Sequence, residues 1–333
     1  MRDLPAASGK LEYRTFGKTG LKISKVGFGG WQAGMSAWGH DYTDRDARDA
    51  IITAHENGIN FFDTAEAYGS GMSEKILGES LKGREAVIAT KLAGYNSSGV
   101  EKSIERSIRN LGRTIDLYQV HWVPSFYTNL RKLFRTIENS VKAGKIQHIG
   151  VSNFPLRYLE MAQNFMEREE IVSDQVQYSI VHREAEIELL QYCRRNRIEL
   201  IAWSPLARGE LTGRYFNSRM PFTLSRSLNK FTSGRTLSQP LKGYLKEQSV
   251  SLGVPIPALA IRYIISKGIL PIPGAKNPLQ ARQNSEAMDA HIPEETFSGI
   301  DSLSMQYATG SLKLLIPRAI PNTLLKIVMS RSI

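Results

Sequence analysis

Eight short apolar runs, rich in β-branched residues, alternate along this chain with longer stretches that have helical periodicity. The runs cover residues 23–29, 59–63, 86–91, 116–122, 146–152, 174–178, 198–204 and 269–274. In one stretch between them a single stripe is formed by Val100, Ile104, Ile108 and Leu111, which is the period of a helix that covers a sheet. Strands separated by helices pair in parallel, because the chain must cross over to return to the same edge. The alternation therefore predicts an α/β fold with a parallel sheet.

An open doubly wound sheet and a closed barrel both satisfy this alternation. The first strand-to-helix turn, GFGGWQAGMSAWG, does not lead directly into a helix, as the glycine-rich turn of a dinucleotide-binding open sheet does. Eight units without a linker or low-complexity block fit a closed barrel better. We therefore predict a single (β/α)8 TIM barrel domain over residues 1–333. An N-terminal hairpin and a C-terminal tail at 302–333 complete it, the tail packing on the barrel or on a partner subunit.

The net charge of +11 calls for an anionic ligand or partner, or reflects a solvated basic surface. The excess is concentrated between Arg214 and Lys246 and in the tail after Asp301. Nucleic acid binding is not indicated, since no RRM, KH, zinc-finger or helix-turn-helix pattern accompanies the charge. The tail also has apolar clusters, so contact with a membrane surface is the alternative to docking on protein.

The single cysteine, Cys193, excludes an internal disulfide framework and a cysteine-cluster metal site. We expect no metal and a reducing, cytoplasmic location. The N-terminal segment has no apolar run typical of a secretion signal. Nowhere do about 18 uninterrupted apolar residues occur, so no membrane span is expected.

Polar and aromatic residues follow the predicted strands at the points where the strands end. In a barrel the carboxyl ends of all strands meet at one mouth, where active sites form. The residues at these ends are Trp31, Asp63, Tyr68, Lys91, His121, Ser152, Asn153, Gln177, Trp203 and Ser204. Polar groups that converge on one mouth indicate catalysis rather than structure. The Arg-, Ser- and Thr-rich stretch from about Leu211 to Leu241 is predicted to be a functional loop.

Four of these residues suit the reduction of a carbonyl group. Hydride addition creates an alkoxide that needs a proton, and Tyr68 can supply it if a neighbouring ammonium, Lys91, lowers the pKa of the phenol. A buried lysine needs a counter-charge, which Asp63 offers. His121 can hydrogen-bond the carbonyl oxygen. Each residue alone also has a structural explanation: Tyr68 as a loop tyrosine, Asp63 as a cap, Lys91 as a surface charge and His121 as a core histidine. Their occurrence together at the ends of consecutive strands favours a catalytic site.

Six segments resemble the aldo-keto reductase superfamily, which includes the potassium channel β-subunit branch. GINFFDTAEAYGSGMSEKILGE (58–79) is similar to the family's first signature, IATKL to the strand with the lysine, and DLYQVHW to the strand with the histidine. GKIQHIGVSNF (144–154) resembles the second signature, IAWSPLARGELTGRY (201–215) the segment over the pyrophosphate, and IPGAKNPLQARQN (272–284) the adenosine-phosphate signature.

The resemblance implies an NADP-dependent oxidoreductase in which Tyr68 is the general acid, Asp63 and Lys91 tune it, and His121 positions the substrate. Substrate contacts are expected from Trp31, Tyr68, His121 and Trp122, with Trp38 also at the pocket. The cofactor residues implied are Gly30, Trp31, Asp63, Ser152, Asn153, Gln177, Trp203, Ser204, Pro205, Leu206, Arg208, Leu211, Arg214, Gly274, Lys276, Gln280, Gln283 and Asn284. Among them, Lys276 can meet a 2′-phosphate, which favours NADPH over NADH.

Two departures from the family pattern concern the adenosine end, where Gln283 replaces a frequent glutamate and Asn277 a frequent serine or threonine. Three functions remain in competition. The first is a carbonyl reductase acting on a small-molecule aldehyde or ketone, in a chain that can form a homo-oligomer. The second is an NADPH-binding regulatory subunit, a role in which the histidine tends to be lost. The third is a Schiff-base aldolase that uses Lys91, which leaves the nucleotide-type segments unexplained.

Overall fold

A β-hairpin precedes the main sheet and closes one end of it. The computed structural model describes residues 13–34, 42–93, 99–124, 129–217 and 237–308. The hairpin strands β1 (Tyr13–Thr15) and β2 (Lys22–Ser24) pair antiparallel. Phe16 stacks on Phe61 of the sheet, with ring centroids 5.6 Å apart. Arg14 donates two hydrogen bonds to the carboxylate of Glu199, at 2.8 and 2.5 Å, so an ion pair joins the hairpin to the barrel.

Eight parallel strands form the main sheet, with neighbours in chain order. They are β3 (Phe28–Gly29), β4 (Phe61–Asp63), β5 (Val87–Leu92), β6 (Ile115–Val120), β7 (Ile146–Ser152), β8 (Ile171–Gln177), β9 (Glu199–Trp203) and β10 (Leu270–Pro271). The first and last strands meet through two backbone hydrogen bonds, Gly27 N to Pro271 O at 2.9 Å and Gly29 N to Pro273 O at 3.1 Å. The predicted (β/α)8 barrel is confirmed.

The seam between β10 and β3 has few hydrogen bonds because of its prolines. Ile272 donates its N–H to Ala202 of β9, so the residues on either side of it face β3. Pro271 and Pro273 have no N–H to donate, and only their carbonyl oxygens take part. On this side of the seam the barrel therefore closes through the carbonyl groups of Pro271 and Pro273, which accept from Gly27 and Gly29.

Helices cover the outside of the barrel. In the described residues they are α1 (Asp44–Glu56), α2 (Met72–Ser80), α3 (Val100–Leu111), α4 (Leu130–Lys142), α5 (Leu156–Gln163), α6 (Leu189–Arg195), α7 (Gln239–Leu252), α8 (Ile256–Ser266), α9 (Pro278–Glu286) and α10 (Glu294–Ser304). One apolar core lies between strands and helices, and a smaller one fills the barrel. None of these helices alone is long and apolar enough to cross a membrane. The pair α7 and α8, bent by 99° at the break between them, meets that requirement by length and composition only.

Several predicted elements differ from the structure in their bounds; the predicted strand 269–274, for example, covers only Leu270–Pro271. The predicted strand 23–29 is two strands, because Ser24 belongs to the hairpin and its Oγ donates to Val26 O to form a turn. Strand β8 starts at Ile171 rather than at 174. The predicted loop from Leu211 to Leu241 runs into α7 at Gln239, and residues 218–236 lie outside the described part.

The C-terminal segment is described as far as residue 308. Residues 302–304 end α10, and a short 3-10 turn, Met305–Tyr307, follows. The backbone of Tyr307 accepts a hydrogen bond from Arg183 N at 3.3 Å, and its hydroxyl accepts one from Ser238 N at 3.0 Å. The rest of the predicted tail, and Trp38 of the predicted pocket, lie outside the described residues.

Candidate active site

A buried ion pair lies inside the barrel at the carboxyl ends of β4 and β5. Lys91 is fully buried, and its Nζ donates to Asp63 Oδ2 at 2.5 Å and to the carbonyl of Thr64 at 2.8 Å. Asp63 and Lys91 face inward because they continue the alternation of Phe61 and Ala89, which fill the barrel below them. Burial disfavours the charge of Lys91 and is the largest single effect, but Asp63 and Tyr68 together outweigh it and raise the pKa of Lys91 above its usual value.

Two glutamines from other strands provide the remaining hydrogen bonds to Asp63. Gln119 and Gln175 donate to Asp63 Oδ1 at 3.1 and 2.7 Å, and both side chains are buried. The carboxylate therefore accepts hydrogen bonds on both oxygens, as a buried charge requires. Sequence reasoning missed these two residues. The available signal was a glutamine on the inward side of an apolar strand, where a polar group needs a partner.

Tyr68 lies beside this pair, on the segment that joins β4 to α2. Its hydroxyl oxygen is 3.5 Å from Lys91 Nζ, and Lys91 Nζ is 5.0 Å from the centre of the phenol ring. Burial raises the pKa of Tyr68, and this effect exceeds the lowering by Lys91. The lowered pKa predicted from the sequence is therefore wrong, because the neighbouring ammonium is apparent from the sequence and the desolvation of Tyr68 is not.

The Tyr68 segment is held by close packing and by a buried carboxylate. Gly69 and Ser70 have positive φ angles, and a Cβ on Gly69 would lie 2.3 Å from Gly34 O, so a larger residue does not fit at that position. Glu74 of α2 accepts hydrogen bonds from Thr90 at 2.7 Å and Asn110 at 2.8 Å. Thr90 precedes Lys91 in β5, so Glu74 joins the tyrosine segment to the lysine strand.

His121 follows β6 and faces the same space. Its ring meets Tyr68 edge-on, with centroids 5.7 Å apart, and stacks on Trp122 at 5.6 Å. Burial, and then the charge of Lys91, lower the pKa of His121 well below its usual value, so the imidazole is neutral at physiological pH. Within the described residues its Nδ1 has no hydrogen-bond partner although it is buried.

Aromatic rings border the tetrad, by which we mean Asp63, Tyr68, Lys91 and His121, on the other sides. Trp31 stacks on Tyr68 with centroids 6.1 Å apart and an interplanar angle of 25°. Trp203, at the end of β9, donates its Nε1 hydrogen to Asn153 Oδ1 at 3.0 Å, which fixes the plane of the indole. Three tryptophan side chains, those of Trp31, Trp122 and Trp203, therefore line the mouth of the barrel around its polar groups.

The residues predicted for the carboxamide end form one hydrogen-bonded group. Asn153, at a φ of 59°, donates from Nδ2 to Ser152 Oγ at 2.9 Å and to the carbonyl of His121 at 3.1 Å. Ser152 Oγ donates to the carbonyl of Gln175 at 2.8 Å. Gln177 is half-buried at the end of β8. The turn after β7 is therefore tied to β6, β8 and β9.

The segment after β9 carries a half-buried cation, Arg208. Ser204, Ala207 and Arg208 have positive φ angles, so the chain turns tightly through the stretch that includes Pro205 and Leu206. Arg208 Cζ lies 5.6 Å from the ring of Trp31 and 5.9 Å from that of Trp203. Burial lowers the pKa of Arg208 to about 10.

Of the other residues in this segment, Leu211 is buried, whereas Arg214 is exposed and lies over the ring of Tyr215. The sequence predicts that Arg208 and Arg214 both add positive charge around the phosphates. The guanidinium of Arg208 lies between the rings of Trp31 and Trp203.

The predicted adenosine end lies across the seam from Gly30. A Cβ on Gly274 would lie 2.1 Å from Gln32 Oε1, so the turn after β3 packs directly on the segment after β10. Lys276 donates its backbone N–H to Gln280 Oε1 at 3.0 Å, and Asn284 donates to Gly274 O at 3.3 Å. Gln283 is exposed on the outer side of α9. No group of three or more metal-ligating side chains occurs in the described residues.

Known proteins resemble the chain along most of its length. The family model for the aldo/keto reductase family matches residues 25–305. A chloroplastic pyridoxal reductase of Arabidopsis thaliana is 33% identical over 316 residues, which cover 86% of this chain and 84% of that protein. An NADH-specific methylglyoxal reductase of Escherichia coli is 29% identical over 310 residues, 84% of this chain and 94% of that one.

Among solved structures, a thermostable aldo-keto reductase in complex with the inhibitor epalrestat has the same fold. It is 30% identical with a TM-score of 0.73, and the match covers 88% of this chain and 99% of that one.

Proposed function

This chain belongs to the aldo/keto reductase family, and we propose that it reduces an aldehyde or ketone to the alcohol with NADPH, with Tyr68 as the proton donor. The observation that carries the proposal is the position of Lys91 between Asp63 and Tyr68, next to a neutral histidine at the barrel mouth. The family is that predicted from the sequence motifs. It makes the chain an oxidoreductase.

The side chains at the mouth suit a nicotinamide dinucleotide. Trp203 offers a ring fixed by Asn153 as a platform for a planar group. Ser152, Asn153 and Gln177 surround that platform with hydroxyl and amide groups for a carboxamide, and Arg208 and Lys276 supply cations for phosphates. At the adenosine end, Gln32 Oε1 is buried and has no hydrogen-bond partner among the described residues, so it can accept a hydrogen bond from a ligand. NADPH would supply a hydride, with both electrons, to the carbonyl carbon.

The chain's own residues then complete the addition. A neutral His121 donates a hydrogen bond to the carbonyl oxygen and orients it. The Tyr68 hydroxyl gives its proton to the oxygen as negative charge develops there, and the O–H bond of the alcohol forms as that of the phenol breaks. Lys91, held by Asp63, stabilises the phenolate left behind. The proton lost by Tyr68 is regained from solvent before the next turnover.

The pKa values at the site predict a flat pH profile for reduction. Tyr68 must be protonated, and burial raises the pKa of its hydroxyl above 10, so the donor form persists through neutrality. The pKa of His121 lies well below 6.5, so the imidazole stays neutral. We expect kcat/KM for the carbonyl to change less than about twofold between about pH 6 and 9. Alcohol oxidation needs the phenolate and should rise across the same range. A reduction rate that falls as the pH rises through 7 would contradict the assignment of Tyr68. A rate that falls as the pH drops through 7 would contradict that of His121.

An aldolase that uses Lys91 is disfavoured by the same geometry. Schiff-base formation needs a neutral amine, and neutral lysines arise where the pKa is lowered. The ion pair with Asp63 raises the pKa of Lys91 instead. The nitrogen is also fully buried and, as an ammonium that donates to Asp63 and Thr64, has no lone pair with which to attack a carbonyl carbon.

The test is carbonyl-dependent NADPH consumption by the purified protein, followed by absorbance with NADH in parallel. The panel includes pyridoxal and methylglyoxal, the aldehydes named for two relatives, together with aromatic aldehydes and ketones. We expect turnover of at least one aldehyde. Tight NADPH binding without turnover would instead support the regulatory subunit, and failure to bind either nucleotide would overturn the proposal.

A further inference from the structure

One side chain outside every predicted motif lies against the adenosine end of the site. Tyr42 is half-buried just before α1, and the Nζ of Lys276 lies 5.0 Å from the centre of its ring. The Tyr42 hydroxyl donates to the carbonyl of Gln32 at 2.7 Å. A single side chain therefore connects the turn after β3 to the segment after β10.

The backbone at Tyr42 is fixed by the start of the next helix. Thr43 caps α1 by accepting a hydrogen bond from Asp46 N at 3.2 Å, while Asp46 Oδ2 accepts one from Thr43 N at 2.8 Å. This reciprocal capping box sets the direction in which the chain enters the helix. The hydroxyl bond to Gln32 then holds the far end of the ring, so its face is presented in one orientation.

The backbone at Lys276 is fixed as well. Its N–H donates to Gln280 Oε1, and Asn277 caps α9 by accepting from Gln280 N at 3.0 Å. Gln32 packs directly on Gly274, two residues before Lys276. With both backbones in place, what the ring of Tyr42 contacts is the end of the four-carbon side chain of the lysine. Such a side chain loses substantial rotamer entropy when it is ordered.

We propose that Tyr42 is a specificity-determining residue that holds the Lys276 ammonium for the 2′-phosphate of the nucleotide. This inference rests on the proposed function, since it assumes that the adenosine end binds at Gly274–Asn284. An ammonium over an aromatic face is attracted by the ring, and an ammonium is a point charge that phosphate oxygens accept hydrogen bonds from. A dinucleotide without the 2′-phosphate gains nothing from this arrangement, so Tyr42 contributes to selectivity as well as to affinity.

The experiment measures the Kd of NADP+ and of NAD+ by fluorescence titration or calorimetry, without turnover. The variants are Tyr42→Leu, Tyr42→Phe, Lys276→Met and the Tyr42→Leu/Lys276→Met double variant. We expect Tyr42→Leu to weaken NADP+ binding roughly fivefold and to leave NAD+ nearly unchanged, whereas Tyr42→Phe retains most of the affinity because the ring remains. Lys276→Met should weaken NADP+ about tenfold or more. The double variant should be no weaker than Lys276→Met, because both act through one ammonium.

Two outcomes would overturn the role of Tyr42 while leaving the reductase proposal intact. One is equal loss of NADP+ and NAD+ affinity in Tyr42→Leu, which would mean that the ring packs on the adenine or only supports the fold. The other is a full Tyr42→Leu effect in the absence of Lys276. If the wild-type chain binds neither nucleotide, the proposed function and this inference are both overturned.

Discussion

Replacement of Tyr68 by phenylalanine is expected to lower kcat for carbonyl reduction about a thousandfold. The substitution removes the hydroxyl that gives its proton to the carbonyl oxygen and keeps the ring between Trp31 and His121. Because the hydroxyl is not assigned to cofactor binding, the Kd of NADPH should change by no more than about twofold. The measurements are kcat from NADPH absorbance and Kd from fluorescence quenching.

The matched control is the same substitution at Tyr13, an exposed residue of the hairpin. Tyr13→Phe should retain the wild-type rate and affinity. Near-normal reduction by Tyr68→Phe would refute its role as the proton donor. A parallel loss of NADPH affinity would show instead that the hydroxyl supports the site's architecture.

Replacement of Lys91 by methionine is expected to damage both stability and activity. Methionine has similar volume but leaves the buried Asp63 carboxylate without its cation, which costs about 4 kcal/mol of unfolding free energy. Activity should fall roughly a hundredfold or more, because the phenolate of Tyr68 loses the charge that stabilises it. Urea denaturation followed by circular dichroism gives the stability, and NADPH absorbance gives the rate.

A second substitution separates the two effects. In Lys91→Met/Asp63→Asn the buried charge is removed, while the side-chain oxygen of the asparagine still accepts from Gln119 and Gln175. We expect most of the lost stability to return and the rate to stay low. Recovery of both would mean that Lys91 acts only in folding, and recovery of neither would mean that the charge of Asp63 is needed for more than its pairing with Lys91.

The barrel could be predicted from the chain because its strands are short apolar runs at regular intervals, and periodicity detects such runs well. The first strand was drawn as one run because Ile23 and Val26 are both apolar. Only the hydrogen bonds of Ser24 reveal the break between hairpin and barrel. Helix α7 was missed because its sequence, QPLKGYLKEQSVSL, buries only Leu241 and Leu245 and has a weak apolar stripe.

The tetrad could be proposed because its members follow three consecutive strands, where barrel geometry brings side chains together. The residues that surround it were harder to find. Gln119 and Gln175 touch Asp63 from strands 56 and 112 positions away in the sequence. The raised pKa of Tyr68 depends on burial, which no local pattern of residues expresses. Tyr42 reaches Lys276 across the seam between the first and last strands, a contact between residues far apart in the sequence.

That seam has a thermodynamic consequence. Where Pro271 and Pro273 remove donors, the barrel is joined by few backbone bonds, yet Gln32 on one side lies against Gly274 on the other. A dinucleotide bound at Trp31 and Lys276 would span the same junction and take the place of the missing cross-links. Ligand binding and barrel closure would then be one linked equilibrium, in which nucleotide at 100 times its Kd adds about 2.7 kcal/mol to the stability of the folded chain. The protein would be most resistant to opening when it is loaded for reaction.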